Sequence, residues 1–184
     1  MVYILLAQGF EEIEAVVPLD ILRRAGITVT TVGITGNTVF GSHDIGIKTD
    51  AYYTEVDCRD AEMIILPGGV PGVPNLQACE WVADCISDAV AHGAYIAAIC
   101  AAPSILGDMG LLNGRKAVCY PGYENRLTGA IVAKEPVVTD GRFITAKGAG
   151  VSAEFAFELV RILKGEEIAK EIRQKMHFHH SIGK

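Results

Sequence analysis

The run Ala97-Ala98-Ile99-Cys100-Ala101-Ala102-Pro103 puts a thiol at the end of an apolar strand, ahead of small residues and a proline. Proline suits the first turn of a helix, so the pattern reads as strand, sharp turn, helix. That is the geometry of a nucleophile elbow, which lifts one reactive side chain above the end of a sheet. The small neighbours matter because a tight turn leaves no room for bulk. A helix N-terminus beside the sulfur favours the thiolate and would lower the thiol pKa from about 8.5. The plainer reading is that Cys100 completes a buried strand, since free cysteines are among the most buried residues.

Two other segments end apolar strands in the same sense. In Leu66-Pro67-Gly68-Gly69 the paired glycines let the backbone turn with its N–H groups exposed, as an oxyanion hole requires. By itself it is also an ordinary glycine-rich turn. Gly9-Phe10-Glu11-Glu12-Ile13-Glu14 follows the first strand. In a doubly wound sheet these carboxyl ends share one crevice, where ligands bind. A carboxyl group there, beside a thiolate, is pushed toward its protonated form and can donate and carry a proton. Taken singly, the three glutamates make a solvated, dipole-matched first turn.

The elements that must position these groups alternate along the chain. Val2 to Ala7, Ile27 to Ile34, Met63 to Leu66 and Tyr95 to Ile99 read as buried strands, and 11–25, 80–91 and 102–109 as helices. Pro18 should kink the first helix, which Gly26 ends. Such β-α alternation implies parallel strands sandwiched between helices. Val39 to Lys48 and Val137 to Ala146 hold short strand-like runs, with Asp140-Gly141 suited to a hairpin turn, and read as antiparallel additions at the sheet edges. Ser152 to Lys164 and Glu166 to Met176 read as two helices hinged at Gly165. There is no linker, repeat or low-complexity tract, so 1–184 is expected to be a single domain.

Composition narrows the function classes. The 184 residues are 50% hydrophobic, with 20 Gly and 7 Pro, as a chain with a substantial core should be. Sixteen basic against 22 acidic residues give a net charge of −6, with no basic cluster longer than Arg23-Arg24 or Arg115-Lys116. No nucleic-acid partner is expected. Mean hydropathy is +0.30, yet the longest uncharged apolar stretch, Ala89 to Gly107, is broken by His92, Gly93, Pro103 and Ser104, so no membrane partner is expected either. The N-terminus has no basic leader and runs into Glu11, Glu12 and Glu14, making the cytoplasm the default compartment. Five cysteines, at 58, 79, 85, 100 and 119, form no C-x-x-C pair and no zinc spacing. Reduced thiols are expected, with no partner signature for Cys58, Cys79 or Cys85.

Taken together, Gly9-Phe10-Glu11-Glu12-Ile13-Glu14-Ala15, Arg23-Arg24-Ala25-Gly26, Leu66-Pro67-Gly68-Gly69, Ala97 to Pro103 and Lys147-Gly148-Ala149-Gly150 resemble, in order, the DJ-1/ThiJ/PfpI superfamily and within it the DJ-1 (PARK7-like) branch. The resemblance spans roughly residues 2–170. It implies an α/β, flavodoxin-like sandwich with a mainly parallel central sheet, helices on both faces and a small antiparallel edge hairpin, usually homodimeric. It makes Cys100 the reactive cysteine, Glu14 the carboxyl whose protonated form bonds its sulfur and lowers its pKa, and Gly69 and Ala101 the backbone donors of an oxyanion pocket. Asp20 and Arg24 match a pair one helical turn apart, read as structural. Ala101 stands where the protease-like branch has histidine, so a Cys-His-acid triad is not expected. Tyr120, before Pro121, stands where a related pattern has histidine and is a possible substrate contact. His43 and Lys147 stand where other members line an anion site with arginines.

The resemblance thus implies a cofactor-independent enzyme of the glyoxalase III/deglycase type, converting a small aldehyde such as methylglyoxal or glyoxal to a hydroxy acid. The alternative it leaves open is a redox sensor or chaperone using an oxidisable Cys100. Other features carry less. Gly148-Ala149-Gly150-Val151-Ser152-Ala153 fits a dinucleotide fingerprint, but no acidic strand end follows to hold a ribose, so its glycines read as a turn that lets a helix approach the sheet. Cys119 reads as a buried spectator rather than a resolving thiol. His177, His179 and His180 read as a frayed terminus rather than a metal site, and no metal is expected.

Overall fold

The computed structural model describes residues 1–178. Its strands are β1 (Val2–Leu6), β2 (Val29–Gly33), β3 (Thr38–Phe40), β4 (Gly46–Lys48), β5 (Ala51–Tyr52), β6 (Met63–Leu66), β7 (Tyr95–Ile99), β8 (Lys116–Ala117), β9 (Ile131–Val132), β10 (Val137–Asp140) and β11 (Phe143–Ala146). The helices are α1 (Glu12–Arg24), α2 (Gly72–Gln77), α3 (Glu80–Ala91), α4 (Pro103–Asp108), α5 (Ser152–Lys164) and α6 (Glu166–Lys175). Seven strands form one sheet in the order β10-β11-β7-β6-β1-β2-β5, parallel throughout except for the β10–β11 hairpin at one edge. This is the mainly parallel α/β sandwich with a small antiparallel edge hairpin that the alternation implies.

Alternation along the strands divides the core between two faces. Leu5, Ile64, Leu66, Ile96 and Ala98 pack with Val82, Ile86 and Ala89 of α3 and Ile105 and Leu106 of α4. Ile4, Leu6, Ile65, Ala97 and Ile99 pack instead with Ile21 and Leu22 of α1 and Phe155, Leu159 and Val160 of α5. Every residue of β1, β6 and β11 is buried, so these strands read as continuous apolar runs. In register, Ile4 pairs with Ile65, Ile65 with Ala97, and Ala146 with Ile99. The carboxyl ends of β1, β6, β7 and β11 therefore lie side by side. That edge is where the chemistry sits.

Several details differ from expectation. The run through 39–48 forms β3 and β4 as a separate two-stranded antiparallel sheet, not an addition to the main one. It is held over the β1–α1 turn, with Gly9 N–H donating to Phe40 O and Ser42 N–H to Phe10 O. α1 runs through Pro18 as one helix, with the proline ring buried. Among the described residues, no helix is long and apolar enough to cross a membrane.

The cysteine reading needs correction. Cys58 and Cys85 form a disulfide across 27 positions, tying the 3-10 turn Cys58–Asp60 to α3. Sequence spacing could not show it, because the pairing depends on α3 packing against that turn. A bridge closing a loop of this length stabilises by about 3 kcal/mol. Denatured protein without reductant should expose the three free thiols, Cys79, Cys100 and Cys119, and all five after reduction, with a lower melting temperature. Five reactive thiols before reduction would refute the pairing.

Candidate functional site

Cys100 occupies the turn between β7 and α4 with φ of +65°, a left-handed conformation that a side chain adopts only at a cost of about 1–3 kcal/mol. The surrounding backbone holds it there. Cys100 N–H donates to Ala146 O at 2.9 Å, and Cys100 O accepts from Tyr120 N–H at 2.7 Å. Beyond the turn, Ser104 Oγ donates to Ala101 O at 2.7 Å, and Pro103 opens α4. The part-buried sulfur receives the backbone N–H groups of Ala101 and Gly69. The elbow and the two donors expected from the sequence are thus brought to one atom.

Glu14, fully buried on the first turn of α1, faces the same sulfur. Its Oε2 accepts from Gly68 N–H at 2.8 Å. Its Oε1 has no well-formed hydrogen bond, although the carboxyl interacts with the Cys100 thiol and the Ala149 N–H. Burial foremost raises Glu14 from 4.5 to about 7, against the hydrogen bonds from Cys100 and Gly68. Burial, and then the Glu14 charge, push the Cys100 thiol up to about 12, outweighing the Ala101 and Gly69 N–H groups. The expectations that the helix N-terminus makes a ready thiolate and that Glu14 lowers the thiol pKa are therefore corrected. Below about 7 both groups are protonated, and above it the pair keeps one proton, held mainly on sulfur, so the two titrate as a pair. Deprotonated Glu14 can take the thiol proton when sulfur attacks.

Gly68 and Gly148 make this contact possible, and their part was not visible in the sequence. A Cβ on Gly68 would stand 2.6 Å from both Cys100 Cβ and Glu14 Oε2. Gly148 lies beneath the Tyr120 ring, where a Cβ would meet Cδ2 at 3.3 Å, and it also flanks Glu14 Oε1. Gly148, read as part of the turn that leads into α5, thus also borders the site. A glycine lying at the end of one strand and directly before a cysteine-bearing neighbour was the available signal. Tyr120 is 50% exposed and forms, with Pro121, Lys147, Val151 and the 148–150 backbone, a shallow cavity of about 310 Å³ beside the elbow. A larger cavity of about 410 Å³ lies at the disulfide, away from this chemistry.

The remaining candidates have other employment. Glu12 is buried and accepts from His43 N–H at 2.7 Å and pairs with His43 Nδ1 at 2.9 Å, fastening the β3–β4 turn to α1. Lys147 Nζ donates to Lys134 O at 2.7 Å. Asp20 and Arg24 pair at 2.6 Å on the half-exposed face of α1, a contact worth little to stability. Cys119 is buried, and burial foremost pushes its thiol up to about 11, with Glu124 adding. His179 and His180 lie outside the described residues.

The DJ-1/PfpI family model matches residues 1–162. The Drosophila melanogaster protein dj-1beta is 36% identical over 172 residues, covering 92% of each chain. A Caenorhabditis elegans protein named glutathione-independent glyoxalase DJR-1.2 is 33% identical, covering 85% of this chain and 84% of that one. Among solved structures, oxidized Toxoplasma gondii DJ-1 superposes with a TM-score of 0.93 at 31% identity, over 97% of this chain and 98% of that one. Likeness of sequence and of fold runs through nearly every element that builds the Cys100 elbow, and the chain belongs to the DJ-1/PfpI family.

Proposed function

We propose that this chain is a cofactor-independent cysteine enzyme that converts small 2-oxoaldehydes, such as methylglyoxal and glyoxal, to hydroxy acids. One observation carries the reading: a fully buried carboxyl faces a thiol at a nucleophile elbow, under two backbone donors. The C. elegans relative named as a glyoxalase supports it at family level. The sulfur attacks the aldehyde carbon while Glu14 takes the thiol proton. The N–H groups of Gly69 and Ala101 stabilise the aldehyde oxygen as it gains charge. Glu14 returns its proton to that oxygen, giving a hemithioacetal. It then removes the hydrogen from the former aldehyde carbon and delivers a proton to the neighbouring one, through an enediol. The result is a thioester, and water releases the hydroxy acid and the thiol. Overall the aldehyde gains one water, with the oxidation of one carbon balanced by reduction of its neighbour. The same adduct chemistry would serve early glycation products of proteins. Tyr120 lines the shallow cavity beside the elbow, where it can contact a substrate bound at Cys100.

A homodimer completes the reading. Ile13 and Val16 on α1, Phe40 and Ile45 on the β3–β4 hairpin, and Val70 after the Gly68-Gly69 turn are large apolar side chains left exposed. The hairpin is bonded to the β1–α1 turn, so much of this set lies on one end of the molecule. A second copy covering it buries the apolar surface. Sedimentation should give twice the 19.6 kDa chain mass, and Ile13→Glu should shift it toward monomer. A wild type that sediments as a monomer would refute this.

The catalytic reading is tested by lactate formation from methylglyoxal without glutathione. Cys100→Ala should abolish turnover, and Glu14→Gln should lower kcat/KM by about 10²–10⁴-fold as the proton acceptor is lost. Because the active pair has Glu14 deprotonated, kcat/KM should rise with pH through about 7 and then level off. Full turnover in Cys100→Ala would remove the proposal. A wild type without turnover, but with a peroxide-oxidised Cys100, would favour the redox sensor instead.

A further inference from the structure

Glu11 closes a ring of hydrogen bonds that includes Glu14, the partner of Cys100. Its N–H donates to Gly68 O at 3.0 Å, and Gly68 N–H donates to Glu14 Oε2 at 2.8 Å. Glu14 N–H then donates back to Glu11 Oε2 at 2.8 Å. The ring joins the first turn of α1 to the turn after β6, the two segments that meet at Cys100. It is tightly enclosed, for a Cβ on Gly69 would stand 2.5 Å from Glu11 N. Helix capping alone does not call for glutamate, since Asp, Asn, Ser and Thr are the preferred caps. What an acidic cap adds over Asn, Ser or Thr is a second negative charge beside Glu14.

From this geometry we infer that Glu11 is a positioning residue, holding Glu14 against Gly68 and setting how readily its carboxyl takes the Cys100 proton. The inference rests on the reading of Cys100 and Glu14 as the reacting pair and deepens it. After burial, the Glu11 charge is what raises Glu14, so the two effects act in one direction. The other titratable groups on these elements are few. Cys100 faces Glu14 from the elbow, and the Tyr120 phenol stands over Gly148 beside it. Glu12 and His43 face Glu11 from α1 and the β3–β4 turn. The Glu11 charge also helps raise His43, so wild type and Glu11 variants are compared in a His43→Gln background, which removes that titration.

The test is the rate of iodoacetamide alkylation at Cys100, followed by mass spectrometry of its peptide across pH. In the wild type this rate should climb through about 7 as Glu14 deprotonates and the thiolate share appears. Glu11→Gln keeps an acceptor for Glu14 N–H but removes the charge. Its midpoint should fall by about half to one pH unit, and its plateau rate by roughly threefold to tenfold, because a weaker base leaves less thiolate. Glu11→Asp, which keeps the charge, should recover most of both. A Glu11→Gln profile superimposable on the wild type would overturn the proposal. So would a Glu11→Ala protein that only melts at lower temperature, since that marks a helix cap alone. Alkylation needs no aldehyde, so its outcome is independent of lactate formation. Normal turnover with an unshifted profile refutes Glu11's part, whereas a shifted profile without turnover refutes the enzyme reading.

Discussion

The buried contact between Glu14 and Cys100 is the constraint from which the local architecture follows. A carboxyl and a thiol that both resist ionisation must be buried together and brought into contact, and each requirement excludes side-chain bulk. Gly68 and Gly148 answer this by leaving space where a Cβ would strike Cys100 or the Tyr120 ring. Cys100 itself accepts a left-handed backbone so that its sulfur turns toward Glu14 and the Gly69 N–H rather than into the sheet. Stability is surrendered locally for chemistry, as strained residues at functional sites generally do.

The rest of the fold supplies rigidity to hold that arrangement. The parallel register sets the ends of β1, β6, β7 and β11 abreast, and each end contributes to the site. β1 leads to Glu11 and Glu14, β6 to Gly68 and Gly69, β7 to Cys100, and β11 to the Gly148 turn. Because these strands are buried on both faces, none can shift without moving packed helices. Glu12 and His43 fasten the β3–β4 hairpin across the same end, while the Cys58–Cys85 bridge braces the other side of α3.

Much of this was legible in the residues themselves. Period and punctuation marked β1, β6, β7, α1, α3 and α5, because buried parallel strands are short apolar runs and their helices begin at acidic turns or proline. Cys100 stood out because its segment ends an apolar strand at a sharp turn, whereas Glu14 was singled out from its neighbours only by the family resemblance. What stayed hidden depends on distances across the fold. Spacing cannot show that Cys58 meets Cys85, or that Gly68 lies between Cys100 and Glu14. Nor can it weigh burial against the helix N-terminus, which is why the thiol was expected low and is instead pushed up. The three glutamates looked alike in sequence. Burial and partners set them apart, for Glu11 caps α1, Glu12 anchors the hairpin, and Glu14 faces the sulfur.

A carboxyl raised from 4.5 to about 7 is favoured by folding in its protonated form. Its stabilising contribution is therefore full below about 4.5 and is lost as pH rises through 7. Infrared difference spectroscopy, subtracting Glu14→Gln from wild type, reads that carboxyl directly through its C=O stretch. The protonated band should persist through mildly acidic pH and vanish as pH rises through about 7. A band already gone near pH 4.5, the value of an ordinary glutamate, would show Glu14 fully ionised at neutral pH and contradict its role as a buried base poised near 7.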